Sequence, residues 1–372
     1  MKITKLETIH VKPRWLFLKI HTDEGIVGLG EPVVEGRAQT VETCVREIAE
    51  RYLIGQDPLR ITHHWQAIYL GQFYQGGPVL TSAIAGIDQA LWDIKGKFYG
   101  VPVYELLGGR TRDKIKVYGH FGGSNYEEIQ ASATASKAKG YTAFKTGVGG
   151  PVKFIDTMKK VQEFADRIAQ TREIIGPECD LGIDFHGEVS PAMAMILIKA
   201  VEEYQPLFIE EPVLPGNLDE LARVARSTYI PIATGERLFT KWQFREVLEK
   251  QAAVVLQPDL SHAGGISECR LIAGMAEASY ATMAPHCPLG PIALAACFQL
   301  DAAIPNFLCQ ESVTMGAGYL KEPFVVENGY VKTPTKPGLG IELDEEAIAE
   351  KTFEGNWETP RYWYEDGSVA VW

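Results

Sequence analysis

The chain has 372 residues, 46% hydrophobic and 23% charged, the balance of a globular protein longer than one ordinary domain. A net charge of −12 argues against nucleic acid or an anionic membrane surface as partner, because both require a basic footprint. A small anion remains admissible, since a bound metal ion reverses the sign of a single pocket.

The opening residues alternate like a strand without a leader-type apolar stretch, and no apolar run approaches the roughly 18 residues of a bilayer span. The six cysteines, at 44, 179, 269, 287, 297 and 309, show no CxxC or Cys/His metal spacing and sit mostly in apolar surroundings. Reduced thiols and the cytoplasm are the expectation. Period-two alternation predicts strands over 3–11, 16–20 and 26–30, an antiparallel meander whose last two strands are joined by the turn Asp23-Glu24-Gly25. Two helices follow, the second expected to open on Asp57 as N-cap with Pro58 at its first position. A third covers about 81–97, where Ile84, Ile87, Leu91 and Ile94 keep one apolar stripe. Strands first and helices after make an α+β cap over 1–112.

Beyond this point short apolar strands alternate with helices. Strands are predicted over 116–119, 143–146, 181–185, 208–210, 232–235, 254–257, 282–284 and 307–310. The pattern is that of an α/β parallel barrel over 113–320, a modified TIM barrel of the (β/α)7β kind, with functional residues at the C-terminal strand ends. The Gly- and Pro-rich tail, 321–372, lacks this rhythm and is expected to return to the cap.

Asp184, Glu210, Glu236, Asp259, His286 and Glu311 end six consecutive predicted strands and recur about every 25 residues, one strand-plus-helix unit. Any one alone could be an ordinary surface or salt-bridge group; six in phase bring ionisable groups to one rim. Asp184, Glu210 and Glu236 form a trio of hard oxygen donors without cysteine, which suits Mg²⁺. At Glu210-Glu211 alternation lets one face the ion; spacing favours Glu210 and leaves Glu211 for an ion pair behind the strand. Asp259, in Gln257-Pro-Asp, would orient His286, in Ala284-Pro-His-Cys-Pro, as a general base. His186, two residues from Asp184, should share its strand face and reach the other side of a substrate. Glu311 would donate a hydrogen bond to a developing oxyanion if burial keeps it protonated, or else make a salt bridge.

These motifs, Asp184-Phe-His186, Phe208-Ile-Glu-Glu-Pro212, Gly235-Glu-Arg237, Gln257-Pro-Asp-Leu-Ser-His-Ala-Gly-Gly265 and Ala284-Pro-His-Cys-Pro-Leu-Gly-Pro291, resemble the enolase superfamily. Pro13-Arg-Trp15 and the cap segment 82–97 extend the likeness over nearly the whole chain. Within the superfamily the chain resembles acid-sugar dehydratases of the mandelate racemase type, most of all the D-galactonate dehydratases. The resemblance implies Mg²⁺ on Asp184, Glu210 and Glu236, His286 as base backed by Asp259, His186 as acid, and Glu311 as stabiliser of the intermediate. It also implies a symmetric homo-oligomer acting on a small acid sugar. Racemases of this type carry Lys-x-Lys after the second barrel strand; here Lys145-Thr-Gly147 lacks the second lysine, which favours dehydration.

Lys145 is expected to meet the substrate carboxylate or a metal ligand, with a strand-end salt bridge as the alternative. His120 reads as a contact to the sugar tail or a rim hydrogen bond. Cap loops near Arg14, Trp15, Tyr74 and Gln75 are expected to close over the polyol, and His63, His64 and His262 to be structural or exposed. The rival readings are dehydration of another aldonate or aldarate, a Schiff-base aldolase using Lys145, and a non-catalytic Mg²⁺-binding protein.

Overall fold

The computed structural model describes residues 1–123 and 125–371. The meander forms as predicted: β1 (Ile3–Val11), β2 (Trp15–Thr22) and β3 (Val27–Gly30) pair antiparallel in that order. Helices α1 (Ala38–Ile48), α2 (Ile61–Tyr69), α3 (Pro78–Tyr99) and the short α4 (Val103–Leu106) follow. Val41, Val45, Ile61, Ile84, Ile87 and Leu91 bury their apolar faces in one core cluster with Leu18 and Ile20 of the sheet. Asp57 does not cap α2. Its carboxylate accepts the Leu59 N–H at 3.0 Å, a local turn two residues on, and the helix starts later at Ile61.

Among the described residues eight parallel strands alternate with seven helices. They are β4 (Lys114–His120), α5 (Tyr126–Ala138), β5 (Ala143–Gly147), α6 (Met158–Ile175), β6 (Asp180–Asp184), α7 (Pro191–Val201), β7 (Phe208–Glu210), α8 (Leu218–Ala225), β8 (Ile232–Thr234), α9 (Thr240–Glu249), β9 (Val255–Leu256), α10 (Gly265–Ala278), β10 (Thr282–Met283), α11 (Pro291–Ala303) and β11 (Gln310–Glu311). Strands β4 to β10 pair in chain order, and β11 returns to β4. A parallel bridge from Met283 to Phe307 closes the ring. Tyr118, Ala143, Phe208, Ala233, Val255, Ala284 and Cys309 pack its interior, leaving the polar strand ends to face one mouth.

The tail divides between the two units instead of returning to the cap alone. Strand β12 (Tyr330–Lys332) pairs antiparallel with the first half of β4, which is why β4 begins earlier than its apolar pattern predicts. Helix α12 (Glu345–Ala349) lies on the cap, where Glu345 meets Lys19 at 2.7 Å. A last hairpin, β13 (Tyr362–Trp363) with β14 (Val369–Ala370), is tied to the loop after β5 by Tyr364 Oη donating to the Val152 carbonyl at 3.0 Å. Among the described residues no helix is long and apolar enough to cross a membrane.

Candidate active site

Strand register brings the acids together. Asp184 and Glu210 stand opposite each other at the ends of β6 and β7. Lys145, on β5 with Gly147 opposite Asp184, reaches into the group. Its Nζ lies 2.7 Å from Glu210, 2.9 Å from Glu311 and 3.2 Å from Asp184. Burial alone would lower its pKa, but Asp184, Glu210 and Glu311 outweigh burial and hold the ammonium well above the usual lysine range. A Schiff-base nucleophile must be neutral, so this arrangement speaks against the aldolase reading.

Glu236 takes the other side of the mouth. One oxygen is 3.3 Å from His286 Nε2 and the other 3.7 Å from His186 Nε2. Burial pushes Glu236 well above the carboxylate range, although His286 opposes it. Burial and Asp184 push Glu210 up to about 7. Asp184 is partly buried, which works against its charge, yet Lys145 and His186 hold it below its ordinary value.

His286 Nδ1 lies 2.8 Å from Asp259 Oδ2, and the Asp259 Oδ1 atom accepts the Ser261 N–H at 2.7 Å. With Nδ1 engaged, Nε2 is the nitrogen turned to the mouth. Burial works against the imidazolium, but Glu236, Glu311 and Asp259 prevail and raise His286 well above the usual histidine range.

His186 departs from the expected geometry. Strand β6 ends at Asp184, and His186 and Gly187 both have left-handed backbone, at φ 51° and 64°. Alternation therefore stops before His186, and the shared-face argument does not hold. Instead the Asp184 carboxylate accepts the His186 N–H at 2.7 Å, and Arg237 Nη2 donates to the His186 carbonyl at 2.8 Å. Glu188 approaches His186 Nδ1 at 3.9 Å. Burial lowers the His186 pKa despite Asp184.

Glu311 corrects a second expectation. Burial raises its pKa, but Lys145, His286 and His120 together hold it well below the carboxylate range, so it accepts hydrogen bonds instead of donating one. The Cys287 N–H donates to it at 2.8 Å, and His120 Nε2 lies 2.7 Å away. His120 is thus a rim partner of Glu311. Glu211 turns away from the acids to pair with Arg237.

Two cavities meet at His186. One, of about 550 Å³ between cap and barrel, is lined by Arg14, Glu236, Arg237, His262 and His286 among others. The other, of about 320 Å³, is lined by His120, Lys145, Asp184, Glu188 and Tyr362. Arg14 is braced there by Glu35 at 2.8 Å and lies over the Trp357 ring. The other cap residues fall elsewhere. Trp15 is buried against Phe17 and Tyr319, Tyr74 projects into solvent, and Gln75 borders a separate cavity beside Trp242. His262 lines the first cavity while its Nδ1 meets Ser82 Oγ at 2.9 Å.

Sequence reasoning passed over Gln257, Glu188 and Tyr362. Gln257 Nε2 donates to Glu210 at 2.8 Å; its position two residues before Asp259 was the available signal. Burial and Asp184 push Glu188 up to about 7. Tyr362 arrives from the far tail and has no local signature.

The donor set of Asp184, Glu210 and Glu236 fits a hard divalent cation. It is all carboxylate oxygen, and two of the three acids are pushed up by burial, a penalty that a bound cation offsets. Among the described residues no three acids or imidazoles yet close round one point. Lys145 draws Asp184 and Glu210 toward Glu311, while Glu236 leans to the imidazoles.

Comparison with known proteins agrees with this architecture. Residues 4–108 match the mandelate racemase/muconate lactonizing enzyme N-terminal domain, and residues 128–347 the enolase C-terminal domain-like family. Proteins named D-galactonate dehydratase from Ralstonia nicotianae and Cronobacter sakazakii are 50% and 51% identical, each over 100% of both chains. A mandelate racemase/muconate lactonizing enzyme from a Jannaschia species superimposes with a TM-score of 0.90 at 34% identity, over 96% of this chain and 99% of that one. Another from a Sulfitobacter species gives 0.90 at 33% identity, over 97% and 99%. The chain is an enzyme of the enolase superfamily and belongs to its mandelate racemase/muconate lactonizing enzyme family.

Proposed function

We propose that the chain is a Mg²⁺-dependent acid-sugar dehydratase that converts D-galactonate into a 2-keto-3-deoxy acid and water. The observation that carries the reading is the pair of imidazoles on either side of Glu236, at 3.3 Å and 3.7 Å. Taking a proton from C2 and expelling the 3-hydroxyl needs a base and an acid at one substrate position. The full-length relatives named for D-galactonate supply the choice of sugar.

Asp184, Glu210 and Glu236 would hold the cation. When bound, Mg²⁺ supplies Lewis-acid stabilisation of the charge that grows on the substrate carboxylate as C2 loses its proton. A single hydrogen-bond donor, worth about 3–4 kcal/mol, would fall short of that demand. Once its Nε2 has lost the proton that Glu236 and Glu311 favour, His286 accepts the C2 proton there while Asp259 holds Nδ1 and fixes the ring. Glu236, at 3.3 Å from His286 Nε2, would face both that imidazole and the cation. His186 donates a proton to the departing hydroxyl: the C3–O bond breaks, a C2–C3 double bond forms, and water leaves. The enol then tautomerises to the 2-keto product. Lys145 remains an ammonium among its three carboxylates, and Gly147 offers no second base, so racemisation lacks its partner group.

Incubation of the purified protein with D-galactonate and Mg²⁺, with assay of the 2-keto-3-deoxy product, tests this. Product that vanishes with a chelator and returns with added Mg²⁺ is the expected result. Product only from another aldonate or aldarate would move the substrate assignment, and product indifferent to chelation would overturn the cation assignment.

A further inference from the structure

We infer that Gln89 and Glu31, two buried residues of the cap, are positioning residues for the base: as a joined pair they hold the Asp259 and His286 loops in register. The kinetic half of this inference rests on the dehydratase reading; the structural half does not.

Gln89 lies on α3 and is fully buried. Its Oε1 accepts the Glu31 N–H at 2.9 Å, and its Nε2 donates to the Leu260 carbonyl at 3.1 Å and to Ser261 Oγ at 3.0 Å. Ser261 in turn gives its own N–H to Asp259 Oδ1 at 2.7 Å. One residue therefore separates Gln89 from the carboxylate that orients His286.

Glu31, just past β3, serves the other loop. One carboxylate oxygen accepts the Gly290 N–H at 2.7 Å and the other the Ala293 N–H at 3.0 Å, at the start of α11. Those bonds pin the segment that carries His286 at its far end. The 2.8 Å contact between Asp259 and His286 thus spans two loops, each fastened to one member of the Glu31–Gln89 pair.

The mount beneath the pair is stiff. Gly30 and Gly86 bring β3 and α3 into backbone contact, where a Cβ on either strand or helix would collide with the neighbouring chain. A Cβ on Gly290 would run into the Glu31 carboxylate, so the His286 loop also sits close against its anchor.

Neither side chain has another visible task. Both are wholly buried, and neither lines the two cavities that meet at His186. A seam that needed only adhesion would be made of apolar side chains, because a buried amide and carboxylate bear a desolvation cost unless fully hydrogen-bonded. What their bonds add is direction, and the direction they set is that of the Asp259–His286 dyad.

Four variants test the inference. Gln89→Ala removes the link, Ser261→Ala removes only the arm toward Asp259, and His286→Asn assigns the spectrum. Trp92→Phe is the control, since Trp92 Nε1 donates to Ser267 Oγ at 2.9 Å across the same cap–barrel seam but beyond the dyad loop. The readouts are kcat and KM for the acid sugar, and, without substrate, the downfield proton signal of His286 Nδ1–H.

Gln89→Ala is expected to lower kcat about 10- to 100-fold at unchanged KM, as a misplaced base does, and to shift or abolish the downfield proton. Ser261→Ala should do the same more weakly, and carries the test if Gln89→Ala fails to fold. Trp92→Phe should change neither. Wild-type kcat and an unmoved proton in Gln89→Ala would overturn the inference, as would an equal loss in Trp92→Phe, which would reduce the role to general docking. If the wild-type chain dehydrates no acid sugar, the reaction reading fails while the proton signal still decides the positioning role.

Discussion

His286 and His186 flank the same carboxylate, yet the chain holds them by different means. His286 sits on a loop between two prolines, with Asp259, Glu236 and Glu311 at 2.8, 3.3 and 3.7 Å. His186 sits on a left-handed turn, its side chain one-third exposed, with Glu236 at 3.7 Å and Glu188 at 3.9 Å. Burial lowers both imidazoles; at His286 the carboxylates prevail and the net shift is well up, whereas at His186 the cations Arg237 and Lys145 add to burial, Asp184 does not outweigh them, and the net shift is down. In the proposed reaction the base must start neutral and the acid protonated, so His286 works only once its carboxylate neighbours are drawn off, as a cation held by Glu236 would do. The base must approach C2 along one line, whereas the acid must follow an oxygen that recedes as its bond breaks. A lowered pKa makes His186 a readier donor, though one less often loaded at neutral pH.

The widest separation between the two sides should come from the histidines themselves. His286→Asn is expected to abolish both dehydration and exchange of the C2 proton with solvent, by about 10²- to 10⁴-fold, the range of a lost general base. His186→Asn should lose dehydration by a similar factor yet keep C2 exchange, followed by deuterium incorporation into recovered substrate. Equal loss of exchange in both variants would break the division of labour.

A smaller effect is expected from Arg237, which supports the acid side alone. Its guanidinium donates to the His186 carbonyl and pairs with Glu211, two duties that a lysine cannot perform together. Arg237→Lys should slow dehydration about tenfold through a displaced His186, leaving C2 exchange near wild type. Parallel loss of exchange would show that the two sides are mechanically joined.

Much of the rim was legible because a barrel converts sequence spacing into convergence. Asp184, Glu210, Glu236, Asp259, His286 and Glu311 each end or follow a strand of one parallel ring; Glu211 does turn to an ion pair, but from a left-handed backbone at φ 41° just past β7, where alternation has already ended. What escaped depends on geometry that no period encodes. The left-handed backbone at His186 ends alternation one residue early. The charge of Glu311 is decided by Lys145, His286 and His120, which arrive from other strands and loops. Gln89 lies within the recognisable cap segment 82–97 and Glu31 just after the predicted strand 26–30, but their hydrogen bonds join residues 58 and 171 positions apart. Asp57 looked like a cap because its residue type fits one, and the turn that it closes locally satisfied the same carboxylate first.

The smallest effect tests whether the acid side is as lightly supported as the distances imply. Glu188 approaches His186 Nδ1 at 3.9 Å, and burial and Asp184 push its carboxyl from 4.5 up to about 7. Between those values the folded chain keeps a proton that the unfolded chain releases, so this group's contribution to stability falls as pH rises through the window. Glutamine has no such proton to lose. Relative to wild type, Glu188→Gln should therefore gain stability as the pH moves from about 4.5 to about 7. Partial exposure screens the effect, and a differential shift in Tm of about 1–3 °C is expected from thermal scans at either end of that range. A Tm difference that ignores pH would mean that Glu188 is ionised throughout and faces His186 as a full charge. Each histidine would then have its own carboxylate, and the contrast between the two sides would reduce to a contact at 2.8 Å against one at 3.9 Å.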